Sequence, residues 1–171
     1  YPIEWGNYGT IVLLGWRFGL GIAGAFQVTT SALVLSFLGV VAARVSRQGL
    51  KGPDATSYVR RLGRRLLADP WLVASAAATV TLAVAPLAWF HYYVLVLLPA
   101  LWLVIRSPGG RLSAVLGATA VLLCGVLPLH LDRVGSGELV HLSCAASWLA
   151  LWGGVLLVVA RIEPEEPPLL P

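Results

Sequence analysis

The stretch WLVASAAATVTLAVAPLAWFHYYVLVLLPALWLVI, residues Trp71 to Ile105, contains 35 residues and no Lys, Arg, Asp or Glu. As one helix it would be about 52 Å long, whereas the hydrocarbon core of a membrane is about 30 Å thick. Two helices fit better, and the break is predicted at 86–91, PLAWFH, because proline interrupts a helix and Trp favours the membrane interface. Each arm has about 15 to 17 apolar residues, roughly 22–25 Å of helix, so the outer turn is expected to lie recessed within the membrane.

The composition of the whole chain agrees with a membrane protein. Hydrophobic residues make up 58% and charged residues 12% of the 171 positions, and the mean hydropathy is +0.82. A composition this apolar excludes a soluble enzyme, a disordered tail and a collagen-like fibre. Three further apolar segments, 20–43, 112–129 and 139–160, are long enough to approach a membrane span. The predicted fold is therefore an all-α, polytopic transmembrane helix bundle with about five spanning helices.

The distribution of arginine predicts the orientation of this bundle. Residues 44–70 carry 7 of the 12 basic residues, and the positive-inside rule places this loop in the cytoplasm. Residues 1–19 then form an extracytoplasmic entry, 130–138 an outer loop and 161–171 an acidic, proline-rich cytoplasmic tail. Within the basic loop, Val59, Leu62 and Leu66 recur at helical spacing. This segment is either an interfacial helix on anionic lipid or only a signal for orientation. Nucleic-acid binding is not expected.

Two positions are candidates for binding an anionic or sugar ligand. His91 lies at the recessed turn beside Trp89 and Tyr92, where an imidazole can donate a hydrogen bond to a phosphate or sugar. The alternative is the polar tip of an interfacial aromatic belt. Arg17 precedes the first apolar core and either faces a cavity, where it holds a phosphate, or extends to the outer interface.

The remaining histidines and the cysteines predict no further chemistry. His130 and His141 flank the last outer loop, but their irregular spacing indicates solvated loop edges rather than a metal site. Cys124 and Cys144 lie inside apolar segments and are predicted to be small core residues. We expect no metal and no cofactor.

The run APLAWFHYYVLVLLPA, residues 85–100, resembles a segment of the polyprenyl-phosphate-mannose-dependent mannosyltransferases of bacterial membranes, glycosyltransferase family eighty-seven. Late helices of that family carry a similar Pro-x-x-Trp-x-His-Tyr run followed by a Leu-rich helix with Pro. The close match covers about 16 residues, and the hydropathy of the rest is compatible with the C-terminal half of such an enzyme. The resemblance implies a GT-C-type fold in the bacterial plasma membrane.

The resemblance also implies a reaction and roles for residues. A sugar would pass from a polyprenyl-phosphate donor to a glycolipid or glycan acceptor on the extracytoplasmic face, with surrounding membrane lipids as further partners. His91 would bind the donor phosphate, Trp89 and Tyr92 would shape the sugar or polyprenyl site, and Arg17 is a weaker phosphate candidate. The family's catalytic Asp lies in a first outer loop that these 171 residues do not contain, so the general base is expected elsewhere and the catalytic residue is unknown.

Two other readings of the sequence stay open. The chain begins at Tyr1 and contains no Met, so we expect it to be part of a longer protein and inactive alone. A non-catalytic membrane module, such as a scaffold or a piece of a transporter, has the same composition. Transporters usually place ionisable groups near the bilayer midplane, and the apolar segments here hold none of the charged residues. A truncated gene product without a function of its own is the third reading.

Overall fold

The chain folds into an all-α helix bundle, described by a computed structural model over residues 10–85, 94–105, 109–128, 130 and 137–163. The predicted fold class is confirmed. The described helices, in chain order, are α1 (Thr10–Phe18), α2 (Gly21–Arg47), α3 (Gly52–Ala68), α4 (Pro70–Val84), α5 (Leu97–Ile105), α6 (Gly110–Val121) and α7 (Gly137–Arg161). A short 3₁₀ turn over 94–96 precedes α5, and a π-helical turn, Leu122–Val126, continues α6.

Two of these helices are long and apolar enough to cross a membrane, which indicates a membrane protein. The 27 residues of α2 and the 25 residues of α7 correspond to about 40 Å and 37 Å of helix. Helices α4, α5 and α6 coincide with predicted apolar segments but are shorter than a full span. If α3 and α4 are taken as one bent span, the described part of the chain contains three candidates rather than five.

Helix α1 returns against α2 through a glycine turn. Gly19 and Gly21 adopt φ values of 64° and 63°, a region that side chains other than glycine rarely enter. Gly15 lies close to the backbone of Gly21, and α1 packs against α2. The buried residues Thr10 and Ile11 begin α1, whereas its last residues are exposed. Residues 1–19, predicted as an entry segment, thus include a helix whose N-terminal end is packed inside the bundle.

A sharp bend separates α3 from α4. Asp69 precedes Pro70 and is extended, because proline disfavours helical backbone in the residue before it. The Asp69 carboxylate accepts hydrogen bonds from the backbone nitrogens of Trp71 and Leu72, at 3.0 and 3.1 Å, and so caps α4. The two helix axes meet at 88°. The sequence Asp69-Pro70 therefore ends one helix and starts the next in a perpendicular direction.

Basic residues hold one end of the bundle together. Arg44, in the last turns of α2, is only 7% exposed. Its Nε donates to the hydroxyl of Tyr58 in α3 at 2.9 Å, and its Nη1 donates to the carbonyl of Val159 in α7. Arg161, at the end of α7, donates to the carbonyl of Gly109 just before α6. Helix α2 runs on to Arg47, past the predicted boundary at residue 43, because Arg44 has buried partners instead of solvent.

Apolar side chains from four helices form the main core. Buried Leu72 and Leu82 of α4, Leu103 of α5, Ala120 of α6 and Leu151 of α7 belong to one cluster. Cys124 and Cys144 are buried in the same cluster, as predicted, and neither forms a disulfide. This core fixes α4 and α5 against α7, so the ends of α4 and α5 have a defined depth in the bundle.

A close approach of α5 and α6 provides a test of this packing. A Cβ atom at Gly117 would lie 2.8 Å from the backbone oxygen of Ala100 and 3.0 Å from Leu103 Cβ, whereas one at Gly39 would contact nothing within 4 Å. Because backbone cannot move aside, we expect Gly117→Ala to destabilise the protein by about 1–3 kcal/mol. Gly39→Ala, in the middle of α2, is expected to be neutral or slightly stabilising. SDS-induced unfolding followed by circular dichroism measures both, and equal midpoints for the two variants would contradict this packing.

Candidate functional site

The candidate site lies at the end of the bundle opposite the basic residues, where α4 stops short of the starts of α2 and α7; this region is called the recess below. Ala83, in the last turn of α4, forms a buried cluster with Leu33 of α2 and Trp148 of α7. Trp148 lies 11 residues after Gly137, the first residue of α7, and Leu33 lies 12 residues after Gly21, the first residue of α2. At 1.5 Å per residue, α4 ends about 16–18 Å below the starts of both long helices.

The described chain leaves this recess at Ala85 and resumes at Val94. Helix α5 then runs back alongside α4, and Val96, at its entry, is fully buried in the main core. Three predicted ligand residues, His91, Trp89 and Tyr92, lie outside the described residues, as does the predicted turn at 86–91. Ala85, the last described residue of this stretch, therefore lies well below the starts of α2 and α7.

Arg17 lies at the rim of the bundle rather than in this recess. Its side chain is 63% exposed, and its Nη1 lies 3.8 Å from Oε1 of Glu138, which is 49% exposed. Arg17 is in the last turn of α1 and Glu138 is in the first turn of α7, where each charge favours the dipole of its own helix. An exposed pair of this kind contributes at most about 1 kcal/mol. Along α1, Arg17 is about 10 Å from the buried end at Thr10.

Several buried polar atoms face the interior between the rim and the end of α4. Thr10 Oγ1 of α1, Thr29 Oγ1 of α2 and Trp148 Nε1 of α7 have no hydrogen-bond partner within the described residues, although all three side chains are at least nine-tenths buried. Such groups in a native structure call for a partner, because an unpaired buried polar atom is costly. Ser75 Oγ is another such atom, nearer the basic end. For Thr10, Thr29 and Trp148, a bound ligand, water or the chain between 85 and 94 is the expected partner.

The histidines that flank the last outer loop differ from each other. His130 is exposed, as predicted for a solvated loop edge. The same prediction is wrong for His141, which is only 1% exposed. The reason is that α7 already begins at Gly137, so His141 lies one turn inside the helix and faces the bundle between buried Val140 and Cys144. His141 adds an imidazole to the outer half of the bundle interior.

Sequence reasoning missed Thr10, Thr29, Trp148 and the buried position of His141 as possible site residues. A single Thr in an apolar helix is a weak signal, since its hydroxyl usually bonds to the preceding turn of its own backbone. Thr79 does so, and its hydroxyl donates to the carbonyl of Ser75 at 2.8 Å. The sequence does not distinguish Thr10, Thr29 and Trp148 from Thr79. Only the packing of α1, α2 and α7 around the end of α4 shows that they are buried without such a partner among the described residues.

The recess is chemically suited to binding neutral or anionic oxygen-rich groups. Its hydroxyl and indole groups provide hydrogen-bond donors for phosphate or sugar oxygens. Four carboxylates occur among the described residues, Asp54, Asp69, Glu138 and Glu163, and none of them lies in the recess: Glu138 is at the rim, Asp54 is in the first turn of α3, Asp69 follows α3, and Glu163 follows α7. The described part of the recess therefore contains buried hydrogen-bond donors and no carboxylate.

Comparison with known proteins gives no further assignment. The chain matches no protein-family model, and no curated protein and no solved structure is significantly similar to it.

Proposed function

We propose that this protein is part of an integral membrane glycosyltransferase of the bacterial plasma membrane. It would move a mannosyl-type sugar from a polyprenyl-phosphate donor to a glycolipid or glycan acceptor on the extracytoplasmic face. The observation that carries the proposal is the depth at which α4 ends, about 16 Å below the start of α7, directly before the run 85–100 that resembles the mannosyltransferases.

A recess of this depth suits a lipid-linked donor. The polyprenyl chain of such a donor stays in the hydrocarbon, so its phosphate and sugar reach the protein at or slightly below the interface. Irregular backbone is tolerated at this depth only where protein or a water-filled cavity surrounds it. The buried donors Thr10 Oγ1, Thr29 Oγ1 and Trp148 Nε1 support a polar occupant at this level.

The reaction assigns roles to the predicted ligands. The bond between the sugar C1 and the donor phosphate oxygen breaks, a bond from C1 to the acceptor oxygen forms, and the acceptor hydroxyl proton passes to a general base. His91 stabilises the charge that develops on the leaving phosphate, while Trp89 and Tyr92 shape the sugar or polyprenyl site. Arg17, at the rim, would attract the phosphate before it reaches His91. The base comes from the part of the enzyme that precedes these residues in the resembling family.

The distribution of charge supports the orientation. Arg44, Arg47, Lys51, the arginines of α3 and Arg161 share one end of the bundle, where Arg44 joins α2, α3 and α7. The positive-inside rule then assigns this end to the cytoplasm and the recess to the outside.

A transfer assay in membranes tests the proposal. Membranes that contain the protein, expressed from its whole gene, are incubated with radiolabelled polyprenyl-phosphate mannose and a membrane lipid extract as acceptor. We expect labelled mannosyl glycolipid well above the level in membranes that lack the gene. Folded protein in the membrane without any transfer would contradict the enzyme assignment and favour a non-catalytic membrane module.

A further inference from the structure

A groove between α2 and α3 lies far from the recess, at the basic end of the bundle. Its volume is about 800 Å³, and apolar side chains form most of its walls. Leu38, Val41 and Val45 contribute from α2, and Ala55 and Val59 contribute from α3. Leu38 and Val59 are 53% and 42% exposed, so the described helices leave this apolar surface uncovered.

The position of α3 places the groove at the surface of the membrane. Helix α3 is perpendicular to α4, and α4 continues into the apolar part of the bundle. A helix that lies flat at this level presents its apolar face to acyl chains and its basic face to headgroups. On α3, Tyr58 and Leu62 pack against the bundle, Val59 and Leu67 are exposed apolar side chains, and the arginines occupy the remaining face.

Positive charge surrounds the mouth of the groove. Lys51 is one of its lining residues, and exposed Arg47 directly follows the lining residue Ser46. Arg60 is exposed one helical turn after the lining residue Thr56 and therefore projects from the same side of α3. Asp54, the acidic residue in the first turn of α3, does not line the groove. An apolar slot with a cationic mouth at headgroup level matches one acyl chain and an anionic headgroup.

We propose that this groove is a binding site for one anionic phospholipid of the inner leaflet. An acyl chain lies between α2 and α3, and Lys51 and Arg60 bind the headgroup phosphate. Arg44 is not a headgroup ligand, because it is buried and its Nε and Nη1 already donate to Tyr58 and Val159. The site is independent of sugar transfer: it lies at the opposite end of the bundle and shares no residue with the recess.

Native mass spectrometry of the detergent-solubilised protein tests the headgroup contact. The protein is incubated with phosphatidylglycerol or with phosphatidylcholine of the same acyl composition. We expect one tightly retained phosphatidylglycerol and at least threefold less retained phosphatidylcholine. Lys51→Gln should lower phosphatidylglycerol retention at least threefold, whereas Arg111→Gln, which removes one exposed charge at the start of α6, should not. Equal retention of the two lipids, or equal loss in the two variants, would overturn the proposal.

A second pair of variants tests the acyl slot without changing charge. Ala42 lines the groove, while Ala43 is exposed on the same turn of α2 but does not line it. Ala42→Phe should fill the slot and reduce phosphatidylglycerol retention, and Ala43→Phe should leave it unchanged. Excess inorganic phosphate should not displace the lipid, because phosphate lacks an acyl chain. If Ala42→Phe retains as much lipid as Ala43→Phe, or if phosphate alone displaces the lipid, the proposed site is wrong.

Discussion

His91→Ala is expected to reduce mannosyl transfer by about 100-fold while leaving the protein inserted in the membrane. The basis is the proposed contact of the imidazole with the donor phosphate, since removal of one hydrogen-bond donor to a developing oxyanion typically costs about 10²–10³ in rate. The loss should fall mainly on kcat, because the negative charge on the leaving phosphate grows in the transition state. The measurement is the membrane transfer assay at several donor concentrations.

The matched control for this variant is His130→Ala. His130 is exposed, lies outside the resembling run and is also predicted at the outer side of the membrane. We expect transfer by this variant to stay within about twofold of the wild type, since an exposed side chain away from the site contributes little. Activity of His91→Ala close to that of His130→Ala would remove His91 from the proposed mechanism.

Arg44→Ala is expected to destabilise the protein by about 3 kcal/mol, because hydrogen bonds to charged groups are worth about 1.5–3 kcal/mol each. The substitution leaves the Tyr58 hydroxyl and the Val159 carbonyl without their shared donor. It also removes a guanidinium that lies 5.8 Å from the centre of the Tyr58 ring. Helix α3 should therefore detach more readily from α2 and α7, and SDS-induced unfolding and the rate of tryptic cleavage in α3 report this change.

Arg47→Ala is the matched control, since Arg47 lies one turn later on α2 and is exposed. Its effect should stay within about 0.5 kcal/mol, as is usual for surface substitutions. Tyr58→Phe keeps the ring and removes the hydroxyl, so combining it with Arg44→Ala measures the coupling between the two side chains. Additive effects of the two substitutions would show that this contact does not join α2 to α3.

The apolar segments of this protein could be predicted from sequence because they depend on composition. The 35 uncharged residues from Trp71 to Ile105 exceed one membrane crossing, and the structure indeed forms α4 and α5 on either side of 86–93. Similarly, the recurrence of Val59, Leu62 and Leu66 indicated a helix within the basic loop, and α3 forms there. Periodicity predicts a helix here because side chains three or four positions apart share one helix face, whichever helix packs against that face.

The contacts between helices could not be predicted in this way. Arg44 looks like one more basic residue after an apolar segment, yet it is buried because Tyr58 and Val159 come within reach of its guanidinium. Likewise, the sequence suggests that His141 lies at a loop edge. It is buried because α7 already begins at Gly137, about one turn before His141. The burial of these two residues depends on which helices become neighbours, and a single sequence does not contain that information.

The candidate site could likewise be predicted only in part. The residues His91, Trp89 and Tyr92 came from the sequence, and their role stays a prediction. The depth of the recess came from the packing of Ala83 with Leu33 and Trp148, which no local pattern indicates. The short arms of the hairpin predict a recessed turn, because the length of a helix limits how far it reaches across the membrane, and that turn lies outside the described residues.

The most direct test of an outward-facing recess is the accessibility of a cysteine at position 85, where α4 ends. Ala85→Cys is made in a background with alanine at the two buried positions Cys124 and Cys144. Glu138→Cys marks the rim and Ser57→Cys, on exposed α3, marks the basic end. Intact spheroplasts are treated with a small, charged methanethiosulfonate reagent that does not cross membranes.

We predict that the reagent modifies Glu138→Cys rapidly and Ala85→Cys more slowly in intact spheroplasts, and Ser57→Cys only after permeabilisation. Polyprenyl phosphate should protect Ala85→Cys and leave Glu138→Cys reactive, because only position 85 lies in the recess. Modification of Ala85→Cys only after permeabilisation, or no modification from either side, would contradict an outward-facing site at the end of α4.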